Sequence, residues 1–329
     1  MKYLILGSGS FAGQLIFSEY LKRNYDVYGF NRSAAKDHYE WPWIKKYKND
    51  LEGRWFKYNL SYDVEEMISH IKRLKPNIVI DFMGQGMVAP SWKNPEVWYT
   101  TNVAIKSRLM NALKDVLFLK KYIRIGTPEV FGSNVNFLKE DECFNPSTPY
   151  AVSHAAIDFN LRCLNKQYDF PYLIGRFANF YGVGQQLYRI IPRLFLSCRS
   201  GKNFILDGKG ESRRSFIHSN DIITAIDCMV KFNGVGQEFN FSSNEEISIM
   251  DLVNKICNLT NIDKSKILKF GPERPGKDKY YRLDIKKSKN LLNWEPEIFL
   301  DEGLNFINEW ISENIENLSN KTWIYEYKD

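Results

Sequence analysis

The N-terminus combines an apolar strand, a glycine-rich loop and a helical pattern, and this order restricts the fold more than any other feature. Residues 2–6 (KYLIL) are apolar enough for a buried strand, and residues 7–13 (GSGSFAG) lead into the helical pattern QLIFSEYLKR. Gly7 permits a tight turn, Gly9 lets a pyrophosphate approach the main chain, and Gly13 lets the helix pack on the strand. The helix N-terminus favours phosphate groups. Such loops also occur at ordinary strand-to-helix turns, but in this context the order predicts a dinucleotide site. We expect it to include Gly7, Gly9, Ser10, Phe11 and Gly13.

The end of the second predicted strand, residues 25–30, bears on which dinucleotide is bound. An acidic side chain at this place would hold the ribose 2′-hydroxyl of NAD, whereas Asn31 and Arg32 follow here. An arginine without a neighbouring carboxylate suits a 2′-phosphate, so NADP is the expected cofactor and NAD the alternative. Arg32 could instead stack on the adenine or face solvent.

Short apolar strands alternate with helical patterns along the first part of the chain. Strand patterns occur at 54–58, 77–82, 121–126 and 171–177, and helical patterns at 63–75, 96–118 and 150–167. The alternation predicts an α/β fold with a Rossmann-like, doubly wound parallel sheet. Glycines and prolines break the later chain into shorter elements. Residues 1–178 are therefore expected to form a dinucleotide-binding domain and residues 179–329 a smaller substrate-binding lobe, with some segments returning to the first domain.

Composition and charge exclude several classes of function. The formal net charge is +6 and the basic residues are spread along the chain, so a nucleic-acid partner is not expected. No apolar run approaches the ~18 residues of a membrane span, and the N-terminal apolar segment is too short for a signal peptide. Five cysteines are scattered without metal-ligand spacing. We therefore expect no metal site and a cytoplasmic location.

One central stretch concentrates reactive side chains. A predicted buried strand ends at Gly126 and is followed by Thr127 and Glu129, where open α/β sheets bind their ligands. Tyr150 and His154 stand four positions apart in the next helical pattern, which puts both on one helical face. A hydroxyl, a carboxylate, a phenol and an imidazole are therefore expected to converge on one cleft.

Arginine is frequent in the later part of the chain. Guanidinium groups match phosphate oxygens, so an arginine-lined cleft suits a diphosphate, although each arginine taken singly is more often solvated. The arginines concerned are Arg189, Arg193, Arg213, Arg214 and Arg274.

Six motifs together resemble the extended short-chain dehydrogenase/reductases that act on nucleotide-diphosphate sugars. In chain order they are the glycine loop, GTPEVFG at 126–132, PYAVS at 149–153, RFANFYG at 176–182, RSFIHSND at 214–221 and RPGKD at 274–278. The loop at 85–92 is most similar to that of GDP-mannose 4,6-dehydratases. The triplet 127–129 resembles those of sugar 4,6-dehydratases such as the dTDP-glucose enzymes.

This resemblance implies a role for each matching position. Tyr150 would remove the proton of the sugar 4-hydroxyl while hydride passes from C4 to the nicotinamide, and Thr127 would hydrogen-bond that hydroxyl. Contacts to the sugar nucleotide would come from Gln85, Ser91, Asn179, Arg189, Arg214 and Arg274. Contacts to the cofactor would come from the glycine-loop residues and from Asn31, Arg32, Asn59, Leu60, Tyr150 and His154. Helices 96–118 and 150–167 would pair with a second subunit, giving a homodimer.

Two departures from the family pattern concern catalysis. His154 replaces a lysine whose ammonium lowers the pKa of the tyrosine and whose N–H groups bind the nicotinamide ribose. Histidine is mostly neutral at pH 7, so it favours the phenolate less, and turnover is expected to rise with pH above neutrality. Pro128 stands where many dehydratases carry an aspartate that protonates the leaving C6 hydroxyl, and GDP-mannose dehydratases also lack that aspartate.

The leading hypothesis is a nucleotide-diphosphate-sugar 4,6-dehydratase. Oxidation at C4 makes the C5 proton acidic, and Glu129 is placed to remove it, after which water leaves C6 and hydride returns there. A 4-epimerase or a decarboxylase of a nucleotide-linked uronic acid would share the oxidation step. A catalytically weak nucleotide-sugar-binding protein is the alternative that His154 suggests.

Overall fold

The computed structural model describes residues 1–273, 276 and 278–325. The strands are β1 Lys2–Leu6, β2 Asp26–Asn31, β3 Trp55–Lys57, β4 Ile78–Asp81, β5 Lys121–Gly126, β6 Phe137–Leu138, β7 Tyr172–Phe177, β8 Asn179–Tyr181, β9 Phe204–Asp207, β10 Arg213–Arg214, β11 Phe216–His218, β12 Gln237–Phe241, β13 Ile247–Ser248, β14 Leu268–Gly271 and β15 Arg282–Leu283. The α-helices are α1 Phe11–Lys22, α2 Ile44–Tyr47, α3 Val64–Leu74, α4 Pro95–Tyr99, α5 Lys106–Ala112, α6 Pro149–Tyr168, α7 Ile190–Ser200, α8 Ser219–Lys231, α9 Ile249–Leu259, α10 Lys286–Leu292, α11 Leu300–Glu313 and α12 Ile315–Leu318. Short 3₁₀ segments lie at Asn49–Leu51, Ala89–Trp92, Pro128–Phe131 and Lys264–Lys266, and a π-helical segment lies at Thr100–Ile105.

One large parallel sheet organises the fold. Within the described residues its strand order is β12-β7-β5-β4-β1-β2-β3, and each neighbouring pair is parallel. From β1 the chain first builds the sheet towards β3 and then crosses back to extend it on the other side from β4. This reversal leaves a crevice at the carboxyl ends of β1 and β4, where such sheets bind ligands. The predicted α/β fold with a Rossmann-like, doubly wound sheet is confirmed.

Helices cover both faces of the large sheet. Ile5 of β1 belongs to the hydrophobic cluster that contains Phe17 of α1 and Ile222 of α8. Leu4 points to the other face and belongs to the cluster that contains Ile157 of α6. Because both faces are buried, the strands are apolar along their whole length, which explains why they stand out in the sequence.

The later part of the chain forms a further hydrophobic cluster of its own. Residues of α7, α9 and α11 pack together there, with Phe195, Leu252 and Leu304 fully buried. The chain also returns to the large sheet, because β12 pairs with β7 and α8 packs on α1. The domain boundary between residues 178 and 179 stays a prediction.

The helix predicted at 96–118 is shorter and interrupted. The chain is helical only from Pro95 to Ala112, with the π-helical segment in its middle. Beyond it, the backbone N–H groups of Lys120 and Lys121 donate to the carbonyl of Asn77, at 2.7 and 3.2 Å. These hydrogen bonds hold residues 120 and 121 beside the start of β4. The chain therefore has to leave the helix before it reaches β5. The helix predicted at 150–167 spans Pro149–Tyr168.

The described ranges contain neither a membrane-spanning helix nor a cluster of metal ligands. No helix there is long and apolar enough to cross a membrane. In the same ranges, no group of three His, Cys, Asp or Glu side chains is arranged to hold a metal ion. The five cysteines are free thiols, and Cys198 and Cys257 are buried.

Candidate active site

The crevice at the carboxyl ends of the sheet opens into a cavity of about 850 Å³. Its wall combines the glycine loop, the ends of β2 and β4, the turn after β5, the start of α6 and segments of the later chain. A cavity of this size suits a cofactor or a small-molecule substrate. The site residues predicted from the sequence that lie in the wall are Gly7, Gly9, Ser10, Phe11, Asn31, Arg32, Asn59, Leu60, Gln85, Thr127, Glu129, Tyr150, His154, Asn179, Arg189 and Arg214.

The glycine loop brings the N-terminus of α1 close to the end of β1. Gly7 has a φ of +77°, and a Cβ there would lie 2.9 Å from the backbone nitrogen of Met83. A Cβ on Gly13 would lie 2.2 Å from the carbonyl oxygen of Gly7, so only glycine lets the helix begin here. Ser10 caps the helix by accepting a hydrogen bond from the Gly13 N–H at 3.1 Å. Gly13 itself lies outside the cavity wall and acts in packing.

The same loop fits the pyrophosphate of a dinucleotide. Residues 9–12 form one part of the cavity wall at the start of α1, where backbone N–H groups favour phosphate. A Cβ on Gly9 would lie 2.9 Å from Oδ1 of Asn31, so a side chain there would fill the space between the loop and β2. These residues could therefore hold the cofactor that the motif predicts.

The end of β2 carries the two residues expected beside the adenine ribose. Asn31 is buried, and its Oδ1 accepts a hydrogen bond of 3.1 Å from the N–H of Ser33, which fixes the turn. Arg32 lies in the cavity wall. Asn59 and Leu60, after β3, face the same end of the cavity. Among the described residues that form this end of the wall, none is acidic.

Helix α6 places Tyr150 and His154 together. Thr148 caps the helix by accepting a hydrogen bond of 3.1 Å from the N–H of Ala151. The ring centroids of Tyr150 and His154 are 4.4 Å apart, so both side chains share one face, as their spacing predicts. Ser91 lies outside the wall, fully buried, and its Oγ accepts a hydrogen bond of 3.2 Å from the Tyr150 N–H. Ser91 thus holds the start of the helix.

Opposing influences act on the ionisation of Tyr150. Burial raises the pKa of its phenol above the usual range, and the negative charge of Glu129 raises it further. A hydrogen bond with Thr127 and the positive charges of Arg189 and Arg124 lower the pKa, without reversing the rise. The phenol is therefore protonated at neutral pH unless a further positive charge enters the cavity.

Glu129 lies beside Tyr150 on the 3₁₀ turn after β5. Thr127 caps this turn, and its hydroxyl accepts a hydrogen bond of 3.3 Å from the Glu129 N–H. Burial, and then the negative charge of Asp278, raise the pKa of the Glu129 carboxyl to about 7. A carboxyl group with this pKa can accept and release a proton near neutral pH.

His154 receives a hydrogen bond from an arginine that the sequence reasoning missed. Nη2 of Arg124, on β5, lies 2.9 Å from Nδ1 of His154. Burial, and then the positive charges of Arg124 and Lys106, hold the pKa of His154 well below its usual range. The imidazole is therefore neutral across the physiological range.

The loop after β4 is fixed by a buried amide. Asn102, in the π-helical segment, accepts a hydrogen bond of 2.8 Å from the Gln85 N–H and donates one of 3.1 Å to the Gln85 carbonyl. Its Nδ2 also donates to Oγ of Ser153 at 3.0 Å, and that hydroxyl donates to the Tyr150 carbonyl at 2.7 Å. The Gln85 loop and the Tyr150 helix are thus held as one unit.

The predicted phosphate-binding arginines do not behave alike. Arg189 and Arg214 lie in the cavity wall. Arg214 donates to the carbonyl of Asp278 at 2.7 Å and stacks on the ring of Tyr281, so part of its guanidinium is already engaged. Asn179 lies in the wall and accepts a hydrogen bond of 2.8 Å from the Tyr281 hydroxyl. Arg274 lies outside the described residues.

Arg124, Asp278 and Asn102 are among the residues of the site that were not predicted. Arg124 had a visible signal, because a charged residue inside the apolar run KYIRIG needs a buried partner. Asp278 ends the RPGKD motif at 274–278, but the resemblance implied no role for it. Asn102 carried no signal, because its partners Gln85 and Ser153 are remote in sequence.

Comparison with known proteins identifies the family of the chain. The family model described as GDP-mannose 4,6 dehydratase matches residues 4–306. The low-salt glycan biosynthesis protein Agl12 of Haloferax volcanii is 26% identical over 314 residues, which cover 92% of this chain and 96% of that protein.

Solved structures share the fold at low identity. The dTDP-glucose 4,6-dehydratase DesIV of Streptomyces venezuelae, solved with NAD bound, has a TM-score of 0.85 and 21% identity, covering 96% of this chain and 98% of its own. The UDP-glucuronic acid 4-epimerase of Bacillus cereus, in complex with UDP-glucuronic acid and NAD, has a TM-score of 0.84 and 24% identity, covering 95% and 99%. Dehydratase and epimerase are equally similar in fold. Because the family match spans most of the chain, the protein belongs to the GDP-mannose 4,6-dehydratase family of extended short-chain dehydrogenase/reductases and is an enzyme of the sugar-nucleotide dehydratase/epimerase type.

Proposed function

We propose that the protein is a nucleotide-diphosphate-sugar 4,6-dehydratase. The observation that carries the proposal is Glu129, a carboxyl group with a pKa of about 7 in the same cavity wall as Thr127 and Tyr150. C4 epimerisation requires no carboxylate at this place, whereas elimination of water requires a base for the C5 proton. The family membership of the chain supports the same reaction class.

The first step is oxidation of the sugar at C4. Tyr150 takes the proton of the 4-hydroxyl, and Thr127 holds the oxygen from which it leaves. When bound, the dinucleotide supplies a nicotinamide ring that accepts hydride from C4. Arg189 and Arg214 lie in the wall where they can bind the diphosphate and keep the sugar beside Tyr150.

The second step is elimination across C5 and C6. The C4 ketone makes the C5 proton acidic, and the Glu129 carboxylate removes it. The resulting electron pair forms the C5–C6 double bond as the C6 hydroxyl leaves, and that hydroxyl needs a proton to depart as water. Pro128 has no acidic group, so the protonated Glu129 carboxyl is the donor within the Thr127–Glu129 turn. A hydride returned to C6 by the bound dinucleotide would complete the 4-keto-6-deoxy sugar. The proton that C5 gains from solvent is balanced by the one that Tyr150, having taken it from the 4-hydroxyl, gives up.

A screen of sugar nucleotides tests this function. Purified protein is incubated with GDP-mannose, dTDP-glucose, CDP-glucose and UDP-linked sugars, and the product masses are measured. Loss of one water from any of them is the expected result. Unchanged mass with altered stereochemistry would identify an epimerase, loss of carbon dioxide a decarboxylase, and binding without turnover a nucleotide-sugar-binding protein. Each of these three outcomes contradicts the dehydratase.

The 4-epimerase remains the second candidate. It is favoured by the fold, because the UDP-glucuronic acid 4-epimerase matches as well as the dehydratase does. An epimerase also needs Tyr150 and Thr127 for the oxidation at C4. Glu129→Gln separates the two reactions, since only the dehydratase loses its product when this carboxylate is removed.

Cofactor, assembly and location form the remaining parts of the proposal. NADP is the proposed dinucleotide because Arg32 lies in the wall where no acidic residue is described, with NAD as the alternative that the structural neighbours bind. A homodimer is proposed through α6 and the helical segment from Pro95 to Ala112, and Val152 and Phe159 of α6 are exposed. A cytoplasmic location is consistent with a substrate of this class.

A further inference from the structure

We propose that Arg124 supplies the positive charge that favours the Tyr150 phenolate, while His154 keeps only the hydrogen-bonding task of the lysine that it replaces. Arg124 is thus a positioning residue that acts on Tyr150 from behind His154. The inference deepens the proposed function and rests on Tyr150 being its base.

The hydrogen bond from Arg124 determines the protonation state of the His154 imidazole. A guanidinium has only donors, so Nδ1 of His154 must accept the 2.9 Å hydrogen bond from Nη2 of Arg124. The ring then carries its proton on Nε2 and is neutral. His154 lies in the cavity wall, and Nε2–H is its one remaining donor. The imidazole can therefore hydrogen-bond a ligand but cannot provide a charge.

Arg124 is positioned to provide that charge. Its side chain is 1% exposed, it belongs to the cavity wall, and its Nη1 donates to the carbonyl of Ile125 at 2.7 Å. The hydrogen bond to His154 places its guanidinium directly behind an imidazole whose centre is 4.4 Å from the Tyr150 ring. A permanent positive charge at this range favours the phenolate.

The surrounding ion pairs leave this charge incompletely neutralised. Asp158 lies 3.6 Å from Nε of Arg124 but 2.8 Å from Nη2 of Arg176. Arg176 and Arg162 in turn share Glu238, at 2.7 and 2.6 Å. Three guanidinium groups thus face two carboxylates, and the cluster retains one net positive charge. Arg124 is the member with the longest ion pair and the one that reaches the cavity.

Lys106 is the other cation that acts on His154, and it is less suited to favour the Tyr150 phenolate. Its Nζ lies 2.7 Å from Oδ2 of Asp81, which also accepts a hydrogen bond of 2.8 Å from the Tyr122 hydroxyl. This close pair neutralises the ammonium locally, and burial lowers the pKa of Lys106 to about 8. Lys106 is also absent from the described cavity wall. The ammonium of Lys106 is therefore paired with Asp81 and not with a group in the cavity.

The charged groups around Tyr150 and His154 come from several elements. Glu129 on the turn after β5 opposes ionisation of Tyr150, whereas Arg189 before α7 and then Arg124 on β5 favour it. Arg124 on β5 and Lys106 on α5 act on His154. Of the cations among these, Arg124 alone contacts the residue that replaces the lysine. Removing its charge should therefore raise the pKa of Tyr150.

The test measures the ionisation of Tyr150 directly, with Arg124→Met as the main variant. Phenolate formation is followed by ultraviolet absorption during a pH titration, as the difference between each protein and the same protein carrying Tyr150→Phe. The oxidised dinucleotide is kept bound throughout, because its positively charged nicotinamide lowers the pKa of the phenol towards the range in which the protein stays folded. Arg124→Met should raise the midpoint by about 1 to 3 pH units. The matched control is Arg162→Met, which removes an arginine of the same cluster outside the cavity wall and should leave the midpoint unchanged.

Two further variants separate charge from hydrogen bonding. Arg124→Gln retains a donor for Nδ1 but carries no charge, so it should raise the midpoint as Arg124→Met does, and it serves if the methionine variant fails to fold. The double variant Arg124→Met with His154→Lys restores a cation beside Tyr150 and should return the midpoint towards that of the wild type. An unchanged midpoint in folded Arg124→Gln would overturn the inference.

Nitrogen NMR provides a readout that needs no turnover. The chain has four histidines, so His154 can be assigned by comparison with His154→Gln. We expect a neutral ring with its proton on Nε2 at about pH 6.5, where an ordinary histidine is half protonated. A charged ring at that pH would contradict the inference. A failed sugar-nucleotide screen would instead reject the proposed function, while both measurements on Tyr150 and His154 would still decide this point.

Discussion

Asp278 and Glu129 contribute two carboxyl groups to the wall of one cavity, and the negative charge of Asp278 disfavours ionisation of Glu129. Burial is the larger reason that the pKa of Glu129 is raised to about 7, and the charge of Asp278 is the next. Burial also raises the pKa of Asp278, although a hydrogen bond of 3.0 Å from Ser147 acts in the opposite direction. Paired carboxyl groups of this kind are typical of sites that transfer protons.

Glu129→Gln should separate oxidation from elimination. Hydride transfer from C4 requires Tyr150 and Thr127, so reduced nicotinamide should still form in a single turnover. Loss of water should slow by about 10²–10⁴-fold, the usual contribution of a general base. Absorbance of the reduced cofactor and product mass measure the two steps. Glu142→Gln, at an exposed position outside the cavity wall, is the control. Elimination at the wild-type rate in Glu129→Gln would refute the role of Glu129.

The pH dependence of elimination should follow the ionisation of Glu129. Only the carboxylate accepts the C5 proton, so the rate should rise with pH through about 7. Asp278→Asn removes a nearby negative charge and lowers the pKa of Glu129, so the rise should move to lower pH. Asparagine can still accept the hydrogen bond from Ser147, which limits the structural change. A pH–rate profile that does not move in Asp278→Asn would show that the two carboxyl groups are not coupled.

Glu129 should also make the fold less stable at higher pH. Its pKa is raised from an ordinary value of 4.5 to about 7, so the folded state holds this proton more tightly than the unfolded chain does. Stability is then fully present below the unfolded pKa and is lost as pH rises through the folded pKa. Glu129→Gln removes this loss. Urea unfolding should find the variant more stable than the wild type at about pH 8, with the difference vanishing at about pH 4.

Arg32→Ala should remove a preference for NADP over NAD. The arginine can pair with the 2′-phosphate, whereas NAD offers only a hydroxyl there. Binding of both dinucleotides, measured by calorimetry, should show NADP weakened about 10-fold or more and NAD nearly unchanged, as expected for loss of one charged hydrogen bond. Lys36→Ala, in the same loop but outside the wall, is the control. Tighter binding of NAD by the wild type would reverse the cofactor assignment.

Local sequence patterns were enough to predict the sheet and much of the cavity wall. Buried parallel strands are apolar throughout, so β1, β4, β5 and β7 appear as distinct runs. Side chains placed four residues apart on a helix must share a face, which is why Tyr150 and His154 were correctly brought together. The end predicted for the helix at 96–118 was wrong, because the chain leaves the helix after Ala112. The hydrogen bonds to Asn77 that hold the chain outside the helix join residues remote in sequence, so a local pattern could not predict them.

The sequence by itself therefore determined the sheet, the glycine loop and the convergence of Thr127, Glu129 and Tyr150, since these follow from periodicity and from strand ends. Only the tertiary structure decided how the replacement of the lysine by His154 is accommodated. Arg124 meets His154 because β5 and α6 pack side by side, a contact across 30 positions of the chain. The pKa shifts of Glu129 and Tyr150 could likewise not be predicted from the sequence. They depend on desolvation and on the charges of Asp278, Arg189 and Arg124, and remote segments of the chain bring these groups to the site.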